Sequence, residues 1–226
     1  MPGLPRPDAI LFDWDNTLVD TWPCIIKAMN TTLDAMGHDP WTEEEAQRRI
    51  ARSLREAFPD LFGDRWQEAA EIFYRTFAEV HIDMLRPLDG AGEALAALRE
   101  AGVTLAVVSN KTGRYLREEA DYLGWTPHFH RLVGAGDAPR DKPAADVVHL
   151  ALSGSGIDPA EHCVWFVGDM AVDMQCAQDA GCRSILIRPA EPTAEEFEGC
   201  PPEVRLASAQ DLLQLFRDET VPNAAD

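Results

Sequence analysis

The sequence predicts an α/β fold, a doubly wound parallel sheet interrupted by an inserted all-helical segment. Short, almost continuously apolar runs bounded by Gly, Pro or Asp are typical of strands that are covered on both faces. Helical patterns alternate with these runs along the chain, as in a parallel sheet. One long interval lacks any such run and predicts the insert. A chain of 226 residues can accommodate this two-part organisation.

The strands and helices of the core follow one another in a regular order. The predicted strands cover residues 9–12, 103–109, 131–134, 163–168 and 184–188. The predicted helices cover residues 90–102, 112–124, 170–181 and 208–218. Gly102 and Gly124 lie where two of these helices stop, and Thr112 is a candidate N-terminal cap. This order predicts a core made of residues 1–20 and 87–226.

Residues 21–86 break the alternation and predict a helical insert. Three helical stretches are expected there, at 23–37, 42–58 and 65–85. Thr42 and Glu45 have the spacing of a capping box, which marks the start of the second stretch.

Composition limits the location and the partners of the protein. Five cysteines without a C-x-x-C pair favour free thiols over disulfides or a zinc site. No run of 18 apolar residues occurs, so we expect no membrane partner. The N-terminus lacks a secretory pattern, which makes a cytoplasmic location the expectation. The formal charge of −19 disfavours nucleic acid, and a phosphate-bearing ligand would need local cations at its site.

Polar side chains follow three of the predicted strands. Asp13 and Asp15 come after the first strand, Ser109 and Asn110 end or follow the second, and Asp169 follows the run at 163–168. In an open parallel sheet, ligands bind beyond the carboxyl ends of the strands. We therefore expect these side chains to line one site.

The acids of this predicted site require a compensating charge. Asp13, Asp15, Asp169 and Asp173 would repel one another, and hard oxygen ligands of this kind suit Mg²⁺. Lys142 is one of three lysines in the chain and supplies a further positive charge. One carboxylate could then act as a nucleophile and another as an acid and base. A metal and a lysine favour phosphoryl transfer over glycoside hydrolysis, which needs neither.

The ordered motifs DWDNT, VVSNK, DKP and GDMAVD resemble the four motifs of the haloacid dehalogenase (HAD) superfamily of phosphohydrolases. The layout is most similar to the phosphoglycolate-phosphatase-like branch. This resemblance implies a Rossmann-like core, with residues 21–86 as a helical cap, and a Mg²⁺ cofactor. It implies that Asp13 is the nucleophile and Asp15 the general acid and base.

The resemblance also assigns the binding residues. It implies that Ser109, Asn110 and Lys142 bind the phosphoryl group. Mg²⁺ would be held by the carboxylates of Asp13 and Asp169 and by the backbone carbonyl of Asp15. Asp173 would join the metal's outer shell or orient the lysine.

Four positions depart from the family pattern or concern specificity. Asn16 stands where Gly is commonest, although Asn also tolerates left-handed geometry. Trp14 is bulky and is expected to reshape the mouth of the site. Arg49 and Arg52 in the insert are candidates for binding an anionic leaving group, although a solvated helix face paired with Glu44 and Glu45 is the simpler explanation.

These features predict a Mg²⁺-dependent phosphatase of a small-molecule phosphate ester, such as phosphoglycolate or a sugar phosphate. A phosphomutase or pyrophosphatase of the same superfamily is an alternative. A phosphonate hydrolase would need a cap lysine, for which Lys27 in the first cap helix is a poor candidate. A dehalogenase needs no metal, so Asp15 and Asp169 disfavour it. A catalytically idle binding or regulatory protein is the alternative of another class. The expected oligomeric state is a monomer or a homodimer.

Overall fold

The computed structural model describes residues 4–49, 54–193 and 195–220. The chain forms two compact units, one made of Met1–Val19 with Pro87–Asp226 and one made of Asp20–Arg86. The strands are β1 (Ala9–Phe12), β2 (Val19–Asp20), β3 (Arg86–Pro87), β4 (Thr104–Thr112), β5 (Arg131–Ala135), β6 (Val164–Gly168), β7 (Arg183–Ile187) and β8 (Val204–Leu206). The helices are α1 (Trp22–Ala35), α2 (Glu43–Arg49), α3 (Leu54–Phe62), α4 (Trp66–Met84), α5 (Ala91–Glu100), α6 (Gly113–Tyr122), α7 (Asp146–Leu152), α8 (Ala171–Asp179) and α9 (Ala209–Thr220).

The larger unit is built on a six-stranded parallel sheet in the order β5-β4-β1-β6-β7-β8. The predicted α/β fold with a Rossmann-like sheet is therefore confirmed. Every residue of β1 and of β6 is buried. This burial explains the continuous apolar runs, because both faces of a parallel sheet are covered by helices. Because β1 lies between β4 and β6, the residues that follow it occupy the middle of the sheet's carboxyl edge.

Strand β4 continues past its predicted end. The sequence predicts a strand that stops at Ser109, whereas β4 extends to Thr112 with a shift in its register against β5 between Val108 and Thr112. Such an irregularity bends a strand and redirects its side chains. Ser109 and Asn110 consequently lie within the irregular end of β4 and not after it. Thr112 precedes α6, but its side chain makes no capping hydrogen bond.

Helix α7 and strand β8 of the larger unit have no counterpart in the sequence prediction. Helix α7 is rich in β-branched residues, which are weak helix formers. Strand β8 is three residues long at the sheet edge, and none of its residues is fully buried. A half-exposed edge strand has no continuous apolar run, so its sequence lacks the signal that identifies the central strands.

The smaller unit is helical in its described residues apart from short terminal strand segments. Helices α1 and α4 pack together, and Phe58 of α3 contacts Phe73 of α4 edge-to-face, with ring centroids 5.7 Å apart. The predicted capping box is present: Thr42 N donates to Glu45 Oε2, and Glu45 N donates to Thr42 Oγ1. Strands β2 and β3 pair at the two points where the chain passes between the units. In the described part of the chain, no helix combines the length and apolarity required to cross a bilayer.

Candidate active site

The centre of the site is the Asp13 carboxylate, at the carboxyl end of the central strand β1. Asp13 N donates to Val167 O of β6 at 2.8 Å, which continues the sheet pairing beyond the strand. The polypeptide then turns tightly through Asn16, whose φ of 58° lies in the left-handed region. The expectation that Asn16 tolerates this geometry is confirmed.

Lys142 forms two ion pairs in the site. Its Nζ lies 2.5 Å from Asp13 Oδ1 and 2.7 Å from Asp173 Oδ1, and all three side chains are buried. The Asn110 side chain holds the loop that carries this lysine. It donates to Lys142 O at 3.2 Å and accepts from Lys142 N at 3.0 Å. Asn110 thereby positions Lys142, and the predicted phosphate contact from Asn110 stays a prediction.

Three buried acids converge beside the lysine. One carboxylate oxygen from each of Asp13, Asp169 and Asp173 lies within 4.8 Å of the others. Gly168 makes this approach possible, because a Cβ at that position would lie 2.4 Å from the Asp173 side chain. The second oxygen of Asp173 accepts from Met170 N at 3.0 Å. Since both Asp173 oxygens have donors, its geometry favours orientation of Lys142 over direct contact with a metal.

The acids retain uncompensated negative charge. Burial, together with repulsion from Asp173 and Asp15, raises the pKa of Asp13 to about 7 despite the attraction of Lys142. Burial and the charge of Asp13 also hold the pKa of Asp169 well above its usual range. Three carboxylates against one ammonium leave an excess of two negative charges when all are ionised. An all-oxygen donor set with this excess fits a hard dication such as Mg²⁺.

We expect the free energy of unfolding, measured in EDTA, to fall between about pH 4 and about pH 7 through these acids. The pKa of Asp13 is about 7 in the folded protein and 3.8 ordinarily, so the folded state keeps a proton that the unfolded chain has lost. This stabilisation is complete below about pH 4 and is lost as the pH rises through 7. Its size should be on the order of 4 kcal/mol.

Urea unfolding followed by circular dichroism measures this slope. Asp13→Asn should show a smaller slope, and Mg²⁺ should stabilise the wild type most at high pH because it binds the ionised acids. A wild-type stability that is constant or rises over this pH range in EDTA would contradict the prediction.

Lys111 is a part of the site that the sequence analysis missed. Its Nζ lies 2.7 Å from Asp15 Oδ1 and 2.6 Å from Glu119 Oε2. Burial opposes the charge of Lys111, but attraction to Asp15 and Glu119 prevails and raises its pKa. The signal available in the sequence was a lysine two residues after Ser109, in a chain with three lysines. Lys111 N also donates to Ser109 Oγ at 3.2 Å.

Trp14 does not lie at the mouth of the site, and that expectation is wrong. The Trp14 side chain is fully buried, and its Nε1 donates to Glu119 Oε2 at 2.7 Å. A large indole is accommodated here because its ring packs edge-on against Trp125 and its N–H finds a buried acceptor.

Arg188, at the end of β7, is a second residue that the sequence analysis missed. Its Nη1 donates to Asp169 O at 3.1 Å, and its guanidinium pairs with Glu196 at 2.6 Å. These contacts hold the backbone of a predicted metal ligand. An arginine directly after an apolar strand was the available signal.

The candidate specificity arginines belong to the smaller unit. Arg49 is exposed, and its guanidinium lies over the Trp41 ring at 4.9 Å from the centroid. The cavity beside it is about 310 Å³ and is also lined by His38 and Phe62. Arg52 lies outside the described residues.

Fold and site together define an α/β protein with a buried carboxylate–lysine centre at the ends of its parallel strands. The family model for haloacid dehalogenase-like hydrolases matches residues 10–187. The match includes the six residues Asp13, Asp15, Ser109, Lys142, Asp169 and Asp173. The chain belongs to this family of hydrolases, as the motifs in its sequence predict.

Individual relatives are similar over most of their length. The chain is 31% identical to N-acetylmuramic acid 6-phosphate phosphatase of Pseudomonas aeruginosa, over 81% of this chain and 82% of the relative. It is 28% identical to phosphoglycolate phosphatase of Chromobacterium violaceum, over 79% of this chain and 84% of the relative. It is also 28% identical to pyrophosphatase PpaX of Bacillus velezensis, over 93% of this chain and 96% of the relative. A haloacid dehalogenase-like hydrolase of Streptococcus pneumoniae superimposes with a TM-score of 0.81 at 22% identity, covering 96% of this chain and all of the other, and supports the fold.

Proposed function

We propose that this protein is a Mg²⁺-dependent phosphatase that hydrolyses a small-molecule phosphate monoester through an aspartyl-phosphate intermediate. The observation that carries the proposal is the approach of Asp13, Asp169 and Asp173 to within 4.8 Å beside the buried Lys142. Phosphoryl transfer depends mostly on positioning and on charge neutralisation, and these groups are suited to both. The names of the three relatives, each a phosphatase, support the same class of reaction.

Asp13 is the proposed nucleophile. Its carboxylate is held at Oδ1 by Lys142, which fixes the direction in which it faces. Attack on phosphorus forms an Asp13–phosphorus bond while the ester oxygen departs with its electron pair. Lys142 and Ser109 are proposed to bind the oxygens of the transferring group, which lowers the cost of their charge.

Asp13, Asp169 and the backbone carbonyl of Asp15 are the proposed Mg²⁺ ligands. The Asp15 side chain belongs to a different set of contacts, with Lys111, which agrees with a backbone contribution only. When bound, Mg²⁺ supplies positive charge that offsets the excess of the carboxylates and attracts the phosphate.

Asp15 is the proposed general acid and base. It gives a proton to the departing ester oxygen, so the leaving group is released as an alcohol. In the second half of the reaction it accepts a proton from the water that attacks phosphorus, and the Asp13–phosphate bond breaks. The products are alcohol and phosphate, and Asp13 is regenerated.

Residues 21–86 are proposed to serve as the cap of a catalytic core made of residues 1–20 and 87–226. Phosphoglycolate and N-acetylmuramic acid 6-phosphate, named in two of the relatives, each carry a carboxylate as well as a phosphate. An arginine such as Arg49 or Arg52 is suited to bind such a second anionic group. Phosphoglycolate is therefore the first substrate to test, and a sugar phosphate or pyrophosphate is the second.

We expect phosphate release from at least one ester in a panel of phosphoglycolate, N-acetylmuramic acid 6-phosphate, hexose phosphates, pyrophosphate and a generic aryl phosphate. EDTA should abolish turnover, because the excess carboxylate charge would then repel the substrate, and Mg²⁺ should restore it. The ranking of kcat/KM identifies the substrate class.

Three outcomes of the panel would contradict the proposal. Turnover that persists in EDTA would contradict the metal assignment. An isomerised hexose phosphate without phosphate release would show a phosphomutase. No turnover of any member, the aryl phosphate included, would support an idle binding protein.

A further inference from the structure

A ring of contacts in the larger unit holds Asp15 from two sides. One oxygen of Glu119, Oε2, accepts from Lys111 Nζ at 2.6 Å and from Trp14 Nε1 at 2.7 Å. Lys111 Nζ also binds Asp15 Oδ1 at 2.7 Å. Because Trp14 and Asp15 are consecutive, Glu119 fixes the Asp15 backbone through Trp14 and the Asp15 carboxylate through Lys111.

Burial differs sharply around this ring. Glu119 and Trp14 are fully buried, the Lys111 side chain is 4% exposed and the Asp15 side chain is 25% exposed. Asp15 therefore carries the one carboxylate of the ring that is exposed to solvent, and the other members of the ring are buried. Trp14 itself is fixed by edge-on packing against Trp125 and Phe129, with centroids 5.8 and 6.4 Å away. The indole N–H that Glu119 accepts is therefore held in place by packing, and we expect the ring to restrict the position of Asp15.

A stabilising role alone accounts poorly for this arrangement. A buried ion pair gains little over a well-packed apolar pair, because removing two charges from water offsets their attraction. Charge-assisted hydrogen bonds do fix geometry, since they are short and directional. The direct contact of this set with the Asp15 carboxylate and with the adjacent Trp14 indicates that geometry is what it supplies.

We infer that Lys111 and Glu119 are positioning residues for Asp15, which they hold where its carboxyl group can give a proton to the departing ester oxygen. This inference rests on the proposed phosphatase function and extends it to two residues with no assigned role. In the step concerned, the ester P–O bond breaks, the bond from phosphorus to Asp13 forms, and the proton passes from Asp15 to the leaving oxygen. The Asp13 carboxylate, which makes the attack, is held separately by Lys142.

Two esters with different leaving groups distinguish a loss of Asp15 positioning from a general loss of activity. Phosphoglycolate releases an alkoxide that requires a proton, whereas 2,4-dinitrophenyl phosphate releases a phenolate that departs without one. The quantity to compare is kcat/KM, which reports the first half-reaction for both esters. We expect Lys111→Met to lower kcat/KM about 100-fold for the alkyl ester and Glu119→Gln to lower it about 10-fold. Both variants should change the dinitrophenyl ester less than about 3-fold.

A neighbouring glutamate provides the matched control. Glu118 lies on the same helix and is half exposed, and its pairing with Arg114 is long, at 3.8 Å. Glu118→Gln should leave kcat/KM for both esters unchanged. Glu119→Gln keeps an oxygen acceptor for Trp14 and Lys111, so it decides the question if Lys111→Met fails to fold in a circular dichroism check.

The possible results separate the inference from the function on which it rests. Equal losses on both esters, or no loss on either, in variants of an active wild type would overturn the positioning role alone. A wild type that hydrolyses neither the dinitrophenyl ester nor any member of the ester panel would overturn the proposed function together with this role.

Discussion

Asp13→Asn should abolish turnover while the protein stays folded. The substitution removes the only proposed nucleophile, and an amide cannot form the acyl-phosphate bond. We expect kcat to fall by at least about 10⁴-fold, because other residues do not compensate for the loss of a covalent intermediate. Stability should be largely kept, since Lys142 retains its partner Asp173 at 2.7 Å.

Phosphate release and acid-quench trapping of the phosphoenzyme measure the effect of Asp13→Asn. Asp8→Asn is the matched control, because Asp8 is exposed and lies just before the opposite end of β1. Its contact, Cys163 N donating to Asp8 Oδ2, can be kept by an asparagine oxygen. Activity of Asp13→Asn above about one per cent of wild type, or a phosphoenzyme still trapped in it, would show that another residue is the nucleophile.

Lys142→Met should damage both stability and activity. The ammonium is buried between Asp13 and Asp173, and its removal leaves these acids beside Asp169 without a positive charge. Breaking a buried ion pair from one side costs about 3–5 kcal/mol. The proposed contact of Lys142 with the transferring group would also be lost, and we expect this loss to lower kcat by a further factor of about 10²–10³.

The pH dependence identifies the cause of the lost stability. Without Lys142 the acids keep their protons to higher pH in the folded state, so the variant is least destabilised near pH 5 and most destabilised near pH 8. Urea unfolding in EDTA at both pH values measures this difference. The double variant Lys142→Met with Asp173→Asn should recover part of the stability at pH 8, because it removes one of the stranded charges. An unchanged free energy of unfolding for Lys142→Met at pH 8 would contradict the electrostatic account.

The sheet was predictable because its central strands carry a local signal. Strands β1 and β6 are completely buried, and burial on both faces requires the unbroken apolar runs that the sequence displays. The turn through Asn16 was predictable for a similar reason, since few residues adopt its left-handed backbone conformation. The edge strand β8 and helix α7 were missed because partial burial and β-branched residues weaken the same signals.

The site was only partly predictable, and the missed part has a physical explanation. Acids at strand ends could be placed together from topology alone, since parallel strands share one carboxyl edge. The partner of each charge could not be placed in this way. Lys142 and Lys111 are both buried lysines, yet one binds Asp13 and the other binds Asp15 and Glu119.

Local periodicity and residue type were sufficient to predict the order of the central strands, a helical segment between the first two of them, and the acids, hydroxyl and lysine expected at the carboxyl edge. The pairing of these charges depends on the tertiary structure. Asp13 and its lysine are 129 positions apart in the chain, and Asp15 and its lysine are 96 apart. Such pairs form because folding brings the two side chains close together in space and because a buried charge without a partner is costly. Neither condition can be evaluated from local sequence.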